Sequence, residues 1–228
     1  MESWRKFLPD YEFVLWNFKR FNKKSSVWVQ EAFKKKKYAF AADYIRLYAV
    51  YNYGGFYLDT DVEIIKSFNE LLNLKTAICW QDGHEGFEAA CFGAEKGAEW
   101  IRVCLDYYKE KHFINSNGGM ELKPLPNIME DCLKEKNFII KNASSVHEAF
   151  ENPTKKELSV FPSFFFSPKS YKTGHIIITD QTYSIHHFAG SWLKSNGDIS
   201  SLAKIWKFFH LPDTKIRKKI KKWISHHL

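Results

Sequence analysis

The chain has 228 residues, of which 45% are hydrophobic and 26% charged, and its formal net charge is +8. This balance predicts one packed domain with at most a short appendage and excludes intrinsic disorder. The four cysteines, Cys79, Cys91, Cys104 and Cys132, contain no close pair, which excludes a zinc ribbon and a dense disulfide scaffold. We find no run of 18 apolar residues and no apolar signal region, so we expect neither a transmembrane span nor secretion.

The predicted elements alternate between strands and helices along the chain. Residues 11–16 are predicted to form a strand, and residues 27–52 a helix that ends at Gly54 and Gly55. Further strands are predicted at 56–58, 62–74 (strand and turn), 76–80, 160–162, 176–179 and 183–188, and further helices at 98–111 and 127–135. This alternation predicts an α/β fold with a mostly parallel central sheet flanked by helices.

Two carboxylates follow directly on the predicted strand 56–58. Asp59 and Asp61 are separated by one residue, and ligands bind at the carboxyl ends of strands in open α/β sheets. Both side chains could approach one hard cation, Mg²⁺ or Mn²⁺, which could neutralise the charge of a departing diphosphate. The alternative interpretation is a solvated acidic turn, since an Asp-x-Asp motif alone is weakly specific.

A second charged pair lies on the preceding helix. Asp43 and Arg46 are three residues apart, in a segment otherwise rich in alanine and aromatic residues. An intrahelical salt bridge is one interpretation. The apolar surroundings predict that the pair is partly buried, which favours a binding role, because a carboxylate and a guanidinium together can hold a polyol.

The tract from Tyr38 through Asp43, Arg46 and the two glycines to Asp59 and Asp61 resembles glycosyltransferases with the DXD sugar-binding region, glycosyltransferase family 32. The resemblance extends from about residue 2 to residue 192. It implies a GT-A type nucleotide-diphospho-sugar transferase fold over residues 1–211, with Tyr38, Asp43, Arg46 and Asp59 binding the donor. Asp59 and Asp61 would be catalytic and hold Mn²⁺ or Mg²⁺. The implied reaction moves a hexose from a UDP- or GDP-sugar to a glycan or lipid-linked acceptor, with retention, in the synthesis of polysaccharides such as bacterial capsules.

Residues 183–192 resemble the C-terminal metal-binding strand of retaining transferases with this fold. His187 would then be a nitrogen ligand of the ion, together with Asp59 and Asp61. Gly190 would let the backbone approach phosphate, Ser191 would hydrogen-bond it and Trp192 would cover the diphosphate. A core strand with two incidental histidines, His186 and His187, is the alternative.

The segment 86–96 resembles the family strand that faces the sugar and the acceptor. Glu88 is therefore a third catalytic candidate, near the reacting carbon, although a plain surface glutamate is an equal alternative. Family members usually begin with a strand that holds the nucleotide base. The resemblance implies that this first nucleotide-binding strand is missing at the N-terminus.

The C-terminal residues 212–228 are predicted to form a basic amphipathic tail helix. Ile216, Ile220, Trp223, Ile224 and Leu228 share one helical face, and six lysine and arginine residues within 213–228 cover the rest. This pattern is typical of a helix that lies on an anionic membrane surface. We therefore expect a cytoplasmic protein, peripheral on the inner face of the cell membrane; a tail helix packed on the domain is the alternative.

Three other functions fit less of the sequence. A DxD phosphatase of the haloacid dehalogenase type would need an acidic pair beside a glycine, which we do not find. A nucleic-acid-binding module would explain the charge but not Asp43, Arg46, Asp59 and Asp61, so we expect no nucleic acid partner. A truncated, inactive relative that still binds a nucleotide-sugar or a partner stays open.

Overall fold

The fold is that of a computed structural model, which describes residues 1–84, 86–150, 154 and 156–189. Residues Met1–Phe188 form one compact unit, and nearly all of a second unit, Ala189–Leu228, lies outside the described residues. The described helices are α1 Glu2–Phe7, α2 Val27–Lys34, α3 Tyr38–Tyr53, α4 Glu99–Asp106, α5 Leu125–Glu135 and α6 Val146–Phe150. The described strands are β1 Gly55–Leu58, β2 Val62–Ile64, β3 Thr76–Ala77, β4 Cys91–Ala94, β5 Ile139–Asn142, β6 Glu157–Val160 and β7 Ser184–His186. Among these helices we find none with the length and apolar content that a membrane span requires.

The helix predicted over 27–52 is two helices, α2 and α3. Helix α2 starts at a Ser26 cap, whose side-chain oxygen accepts a hydrogen bond from the backbone N–H of Val29. It ends because Lys36 adopts a positive φ of 56°, which an α-helix does not accommodate. The two helices are joined by Trp28, fully buried, whose Nε1 donates to the Phe40 carbonyl at 2.8 Å.

Helix α3 ends at the predicted glycine pair. Gly54 and Gly55 have φ values of 74° and 89°, a region in which a side chain would be strained. This reversal sends the chain directly from α3 into β1, which places the end of β1 beside the first half of α3. The predicted stop of the helix is therefore confirmed, and it sets the position of the Asp59–Asp61 segment.

The described sheets are small and mostly antiparallel, so the prediction of a mostly parallel sheet was wrong. Strands β1, β4 and β3 form an antiparallel sheet in that order, and β2 pairs antiparallel with β7. The β5–β6 pair is parallel. Short strands joined by loops can pair in either direction, and long-range pairing decides which. The alternation of helices and strands nevertheless produces a mixed α/β fold.

The prediction of a strand over residues 11–16 was also wrong, because these residues pair with no strand in the described chain. Their side chains pack on the helices instead. The Trp16 ring lies 6.0 Å from the Tyr48 ring and 5.2 Å from the Tyr53 ring, both on α3. The alternating apolar pattern therefore serves packing on a helix rather than a hydrogen-bonded ladder.

Two hydrophobic clusters hold the fold together. The larger one lies among helices α2 to α5 and the sheet of β1, β4 and β3. The smaller one lies around β2 and β7 and includes buried Phe161, Phe165 and Tyr183. Each fully buried aromatic or aliphatic side chain contributes about 1.5–3 kcal/mol. Strand β4 supplies residues to both clusters, and the candidate site lies where they meet.

Candidate active site

Asp59 leaves the end of β1 with its backbone and side chain both held. Its N–H donates to the Ala90 carbonyl at 2.8 Å. Carboxylate oxygen Oδ2 accepts from Arg46 Nη1 at 3.2 Å, and Oδ1 accepts from the Tyr57 hydroxyl. Tyr57 reaches this carboxylate because residues two apart in an extended chain point to the same side. Asp59 is thus fixed in one orientation.

Arg46 links the helix to this aspartate. Its side chain is 8% exposed; Nη2 lies 3.3 Å from Asp43 Oδ1, and Nη1 also donates to the Ala89 carbonyl at 2.7 Å. The guanidinium stacks over the Tyr57 ring at 4.6 Å. The predicted burial of the Asp43–Arg46 pair is observed. The pair is an i,i+3 salt bridge that also reaches Asp59, so neither early interpretation describes it alone.

Burial also changes the protonation of Asp43. Desolvation raises the pKa of its carboxyl to about 6; Arg46 opposes this rise and Asp59 adds to it. Arg46 keeps one unused donor, since its buried Nε has no hydrogen-bond partner among the described residues. A buried donor without a partner is costly and is typical of a site that binds a ligand.

A second chain of contacts runs from Asp61 through His186 to Glu88. His186 Nε2 lies 3.6 Å from Asp61 Oδ2, and Nδ1 lies 3.3 Å from Glu88 Oε1. Glu88 is completely buried and also accepts from the Ala90 N–H at 2.8 Å. Glu88 is therefore not a surface residue; it lies behind His186 and holds the ring from the protein side.

The two carboxylates keep His186 charged in the metal-free site. Burial by itself would lower the pKa of His186, but the charge of Glu88 and the hydrogen bond to Asp61 raise it to about 10. Burial would raise the pKa of Glu88, yet the charge and hydrogen bond of His186 lower it overall. His186 and Glu88 therefore form a buried ion pair. A cation bound at Nε2 of His186 would displace the proton from that nitrogen.

Asp59, Asp61 and His186 together form a group that could hold a metal ion. One ligand atom from each lies within 4.8 Å of the other two. Two ligands at about 2.1 Å from one ion are at most about 4.2 Å apart, so a small closure brings all three into range. The two carboxylate oxygens are ligands that suit Mg²⁺ or Mn²⁺, and the imidazole nitrogen is the softer ligand of the three. The residues present therefore fit the divalent cation that the sequence predicted.

The histidine of this group is His186 and not the predicted His187. The sequence indicated His187 as the ligand, but its Nε2 lies 2.8 Å from Glu63 Oε2 instead. His186 ends β7 opposite Val62, and consecutive residues of an extended chain point to opposite sides. The side chain that meets Asp61 is therefore that of His186, and His187 contributes its backbone N–H, which donates to the Asp61 carbonyl at 3.1 Å.

The remaining predicted residues lie apart from this cluster or outside the described chain. Tyr38, expected to bind the donor, is 50% exposed, and its ring packs against Phe33 at 5.2 Å. Gly190, Ser191, Trp192 and the tail 212–228 lie outside the described residues. Two site residues, His186 and Tyr57, were missed. Alternation along the strand that precedes Asp59 could have indicated Tyr57.

One family model matches the part of the chain that contains four residues of this site. Residues 1–77 match the model of a family described as glycosyltransferase sugar-binding region containing DXD motif. These residues include Asp43, Arg46, Asp59 and Asp61. The match confirms the predicted resemblance to DXD glycosyltransferases over residues 1–77. The narrower assignment to family 32 is not confirmed.

A solved structure of PaToxG glycosyltransferase is similar to this chain with 19% sequence identity and a TM-score of 0.35. The match covers 53% of this chain and 42% of that one, so the chain spans less than half the length of its structural relative. The comparison with curated proteins finds no match.

Proposed function

We propose that this chain is a metal-dependent glycosyltransferase of the GT-A type. It transfers a hexose from a UDP- or GDP-sugar to a glycan or lipid-linked acceptor, with retention, in polysaccharide synthesis. The observation that carries the proposal is the group of Asp59, Asp61 and His186, whose ligand atoms lie within 4.8 Å of one another. Both aspartates lie within the residues that match the DXD region, and Asp59 also contacts Arg46 of the buried Asp43–Arg46 pair. Residue 212 onward is proposed to bring the enzyme to the inner face of the cell membrane.

The charges of the site support a divalent cofactor. Four carboxylates, those of Asp43, Asp59, Asp61 and Glu88, and two cationic side chains, Arg46 and His186, make up the two contact chains of the site, which together we call the network. When all are ionised, the network carries two uncompensated negative charges. A bound Mn²⁺ or Mg²⁺ would supply Lewis acidity and neutralise charge that grows on the leaving diphosphate.

The roles of the side chains follow from their contacts. Asp59, Asp61 and His186 would hold the ion. Arg46, held between two carboxylates, orients Asp59, and its remaining Nε donor has no partner among the described residues. We assign this donor to the donor sugar or phosphate. Glu88 touches His186 rather than open space, so we assign it to positioning instead of direct action at the reacting carbon.

A panel of nucleotide-sugars tests the proposal. The full chain is incubated with Mn²⁺ and UDP- and GDP-hexoses, and release of the nucleoside diphosphate and the thermal shift are measured. At least one donor should be hydrolysed and should raise the melting temperature. Asp61→Asn should abolish both effects, whereas Glu63→Gln, a nearby carboxylate outside the cluster, should leave them unchanged.

Three outcomes would contradict the proposal. Turnover that persists in excess EDTA would exclude a metal-dependent step. A donor that binds without any turnover would support a truncated, inactive relative. Release of phosphate from simple phosphomonoesters, without nucleotide-sugar binding, would support the DxD phosphatase.

A further inference from the structure

A strongly basic surface lies at the start of α3, outside the candidate active site. Residues 17–38 contain eight lysine and arginine residues and one acidic residue, Glu31. Seven of the eight are exposed, and Lys37 is partly buried. The basic residues are Lys19, Arg20, Lys23, Lys24, Lys34, Lys35, Lys36 and Lys37. We call this region, together with Phe18, Val27, Phe33 and Tyr38, the basic surface.

Aromatic contacts bring the two basic segments onto one face. The Phe18 ring lies 4.6 Å from the Phe33 ring, which joins the loop before α2 to the end of α2. Lys23 Nζ lies 5.6 Å from the Phe18 ring and 5.4 Å from the Phe33 ring. The Tyr38 ring extends this cluster at 5.2 Å from Phe33. Cations and aromatic rings therefore share a continuous patch.

The charges of this surface are not neutralised by the fold. None of the eight basic side chains forms an ion pair among the described residues. The one local carboxylate, Glu31, is engaged by His112 at 2.8 Å and by the Ile114 N–H at 3.0 Å. This short segment thus carries seven net positive charges, and seven of its eight basic side chains are exposed, so it attracts an anionic partner.

Apolar side chains are exposed among these cations. Phe18 is 38% exposed, Val27 40% and Tyr38 50%. A polyanion such as nucleic acid would pair with the lysines but would leave Val27 in water. A bilayer takes both kinds of group, since lysines meet anionic headgroups while aromatic and aliphatic side chains enter the interface.

We propose that the basic surface docks the folded domain on an anionic lipid bilayer. This site is separate from the predicted tail helix, and it does not depend on the proposed reaction. Along the axis of α3, Asp43 lies five residues, or about 8 Å, from Tyr38. Docking there would place the site close to the membrane surface, where a lipid-linked acceptor would be presented.

Vesicle flotation of the full chain tests this inference. The vesicles contain about one third phosphatidylglycerol in phosphatidylcholine, at low ionic strength, with pure phosphatidylcholine as the neutral reference. The triple variant K34Q/K35Q/K36Q should partition about 100-fold more weakly, at about fivefold for each lysine. The matched control K96Q/K109Q/K134Q removes the same charge from three exposed lysines elsewhere and should bind like the wild type.

A second variant separates the apolar contribution. Phe18→Ser should weaken the binding that survives at high salt by several-fold, because salt screens the lysines but not the buried apolar area. Circular dichroism melting shows whether each variant keeps its fold. Equal loss in the two triple variants, or no loss in either, would overturn the proposal. So would loss of RNA binding in K34Q/K35Q/K36Q while vesicle binding stays intact.

Discussion

Replacing Glu88 with glutamine removes one charge from the buried contact with His186 and keeps a side chain of the same shape. The glutamine carbonyl can still accept from the Ala90 N–H and from the ring. Removing one partner of a buried ion pair costs about 3–5 kcal/mol. For a domain of this size, the melting temperature should fall by about 10 °C.

The loss of stability caused by Glu88→Gln should be larger at low pH than at high pH. Burial alone would lower the pKa of His186 from 6.5, but Glu88 and Asp61 raise it to about 10. The stability gained from the charged His186 ring is therefore complete below pH 6.5, the pKa of the ring in the unfolded chain, and it decreases as the pH rises toward 10. The pKa of Glu88 is lowered, so its charge is present near pH 6. Glu88→Gln should therefore destabilise most near about pH 6 and little near about pH 9.5.

Urea unfolding of the metal-free protein in EDTA, followed by circular dichroism at both pH values, measures this difference. Glu63→Gln is the matched control, because Glu63 also contacts a histidine, His187 at 2.8 Å, but its side chain is 43% exposed. Because the Glu63 carboxylate is open to solvent, its contact with His187 should contribute less than the fully buried Glu88 contact, so the control should change less at either pH. The same loss for Glu88→Gln at both pH values would refute the ion pair.

Three further substitutions test other contacts. Arg46→Lys should lower donor affinity at least about tenfold with unchanged circular dichroism. Arg46 reaches Asp43 from Nη2 and reaches Asp59 and the Ala89 carbonyl from Nη1, and the single nitrogen of lysine lacks this planar fork; unchanged affinity would make the pair purely structural. Burial raises the pKa of Asp43 from 3.8 to about 6. As the pH falls from 7 to 4, the wild type should therefore gain about 2 kcal/mol in unfolding free energy relative to Asp43→Asn; parallel pH profiles in urea would argue against it. Gly93→Ala should cost about 1–3 kcal/mol, measured as a lower melting temperature, since the new Cβ would lie 2.6 Å from the Phe56 ring; an unchanged melting temperature would show that this ring moves freely.

Local sequence signals predicted much of the site. The glycine pair stops α3 and reverses the chain because both glycines need a positive φ, which sequence reveals directly. Asp59 follows a short apolar strand, β1, as expected. Burial of Asp43 and Arg46 follows from the alanine and aromatic residues around them, because a helix without a polar stripe must be enclosed. Such features depend on residues close together in the chain.

Features that depend on distant residues could not be predicted. The choice between His186 and His187 is decided by the pairing of β7 with β2, and a shift of one residue would exchange the two rings. The antiparallel arrangement of β1 and β4 is likewise fixed by long-range pairing. The alternating pattern of residues 11–16 suits a strand as well as it suits a segment packed on a helix. In the structure Trp16 packs on α3, and residues 11–16 pair with no strand in the described chain.

The affinity of the chain for Mn²⁺ in the presence of a nucleoside diphosphate tests the central claim most directly. Electron paramagnetic resonance measures the concentration of free Mn²⁺ with the wild type, with His186→Gln and with His187→Gln. The two variants differ from each other only in the position of the lost imidazole. With Asp59, Asp61 and His186 as the ligand group, His186→Gln should bind Mn²⁺ at least about tenfold more weakly, and His187→Gln should bind like the wild type. Weakened binding in His187→Gln with wild-type binding in His186→Gln would contradict this metal site.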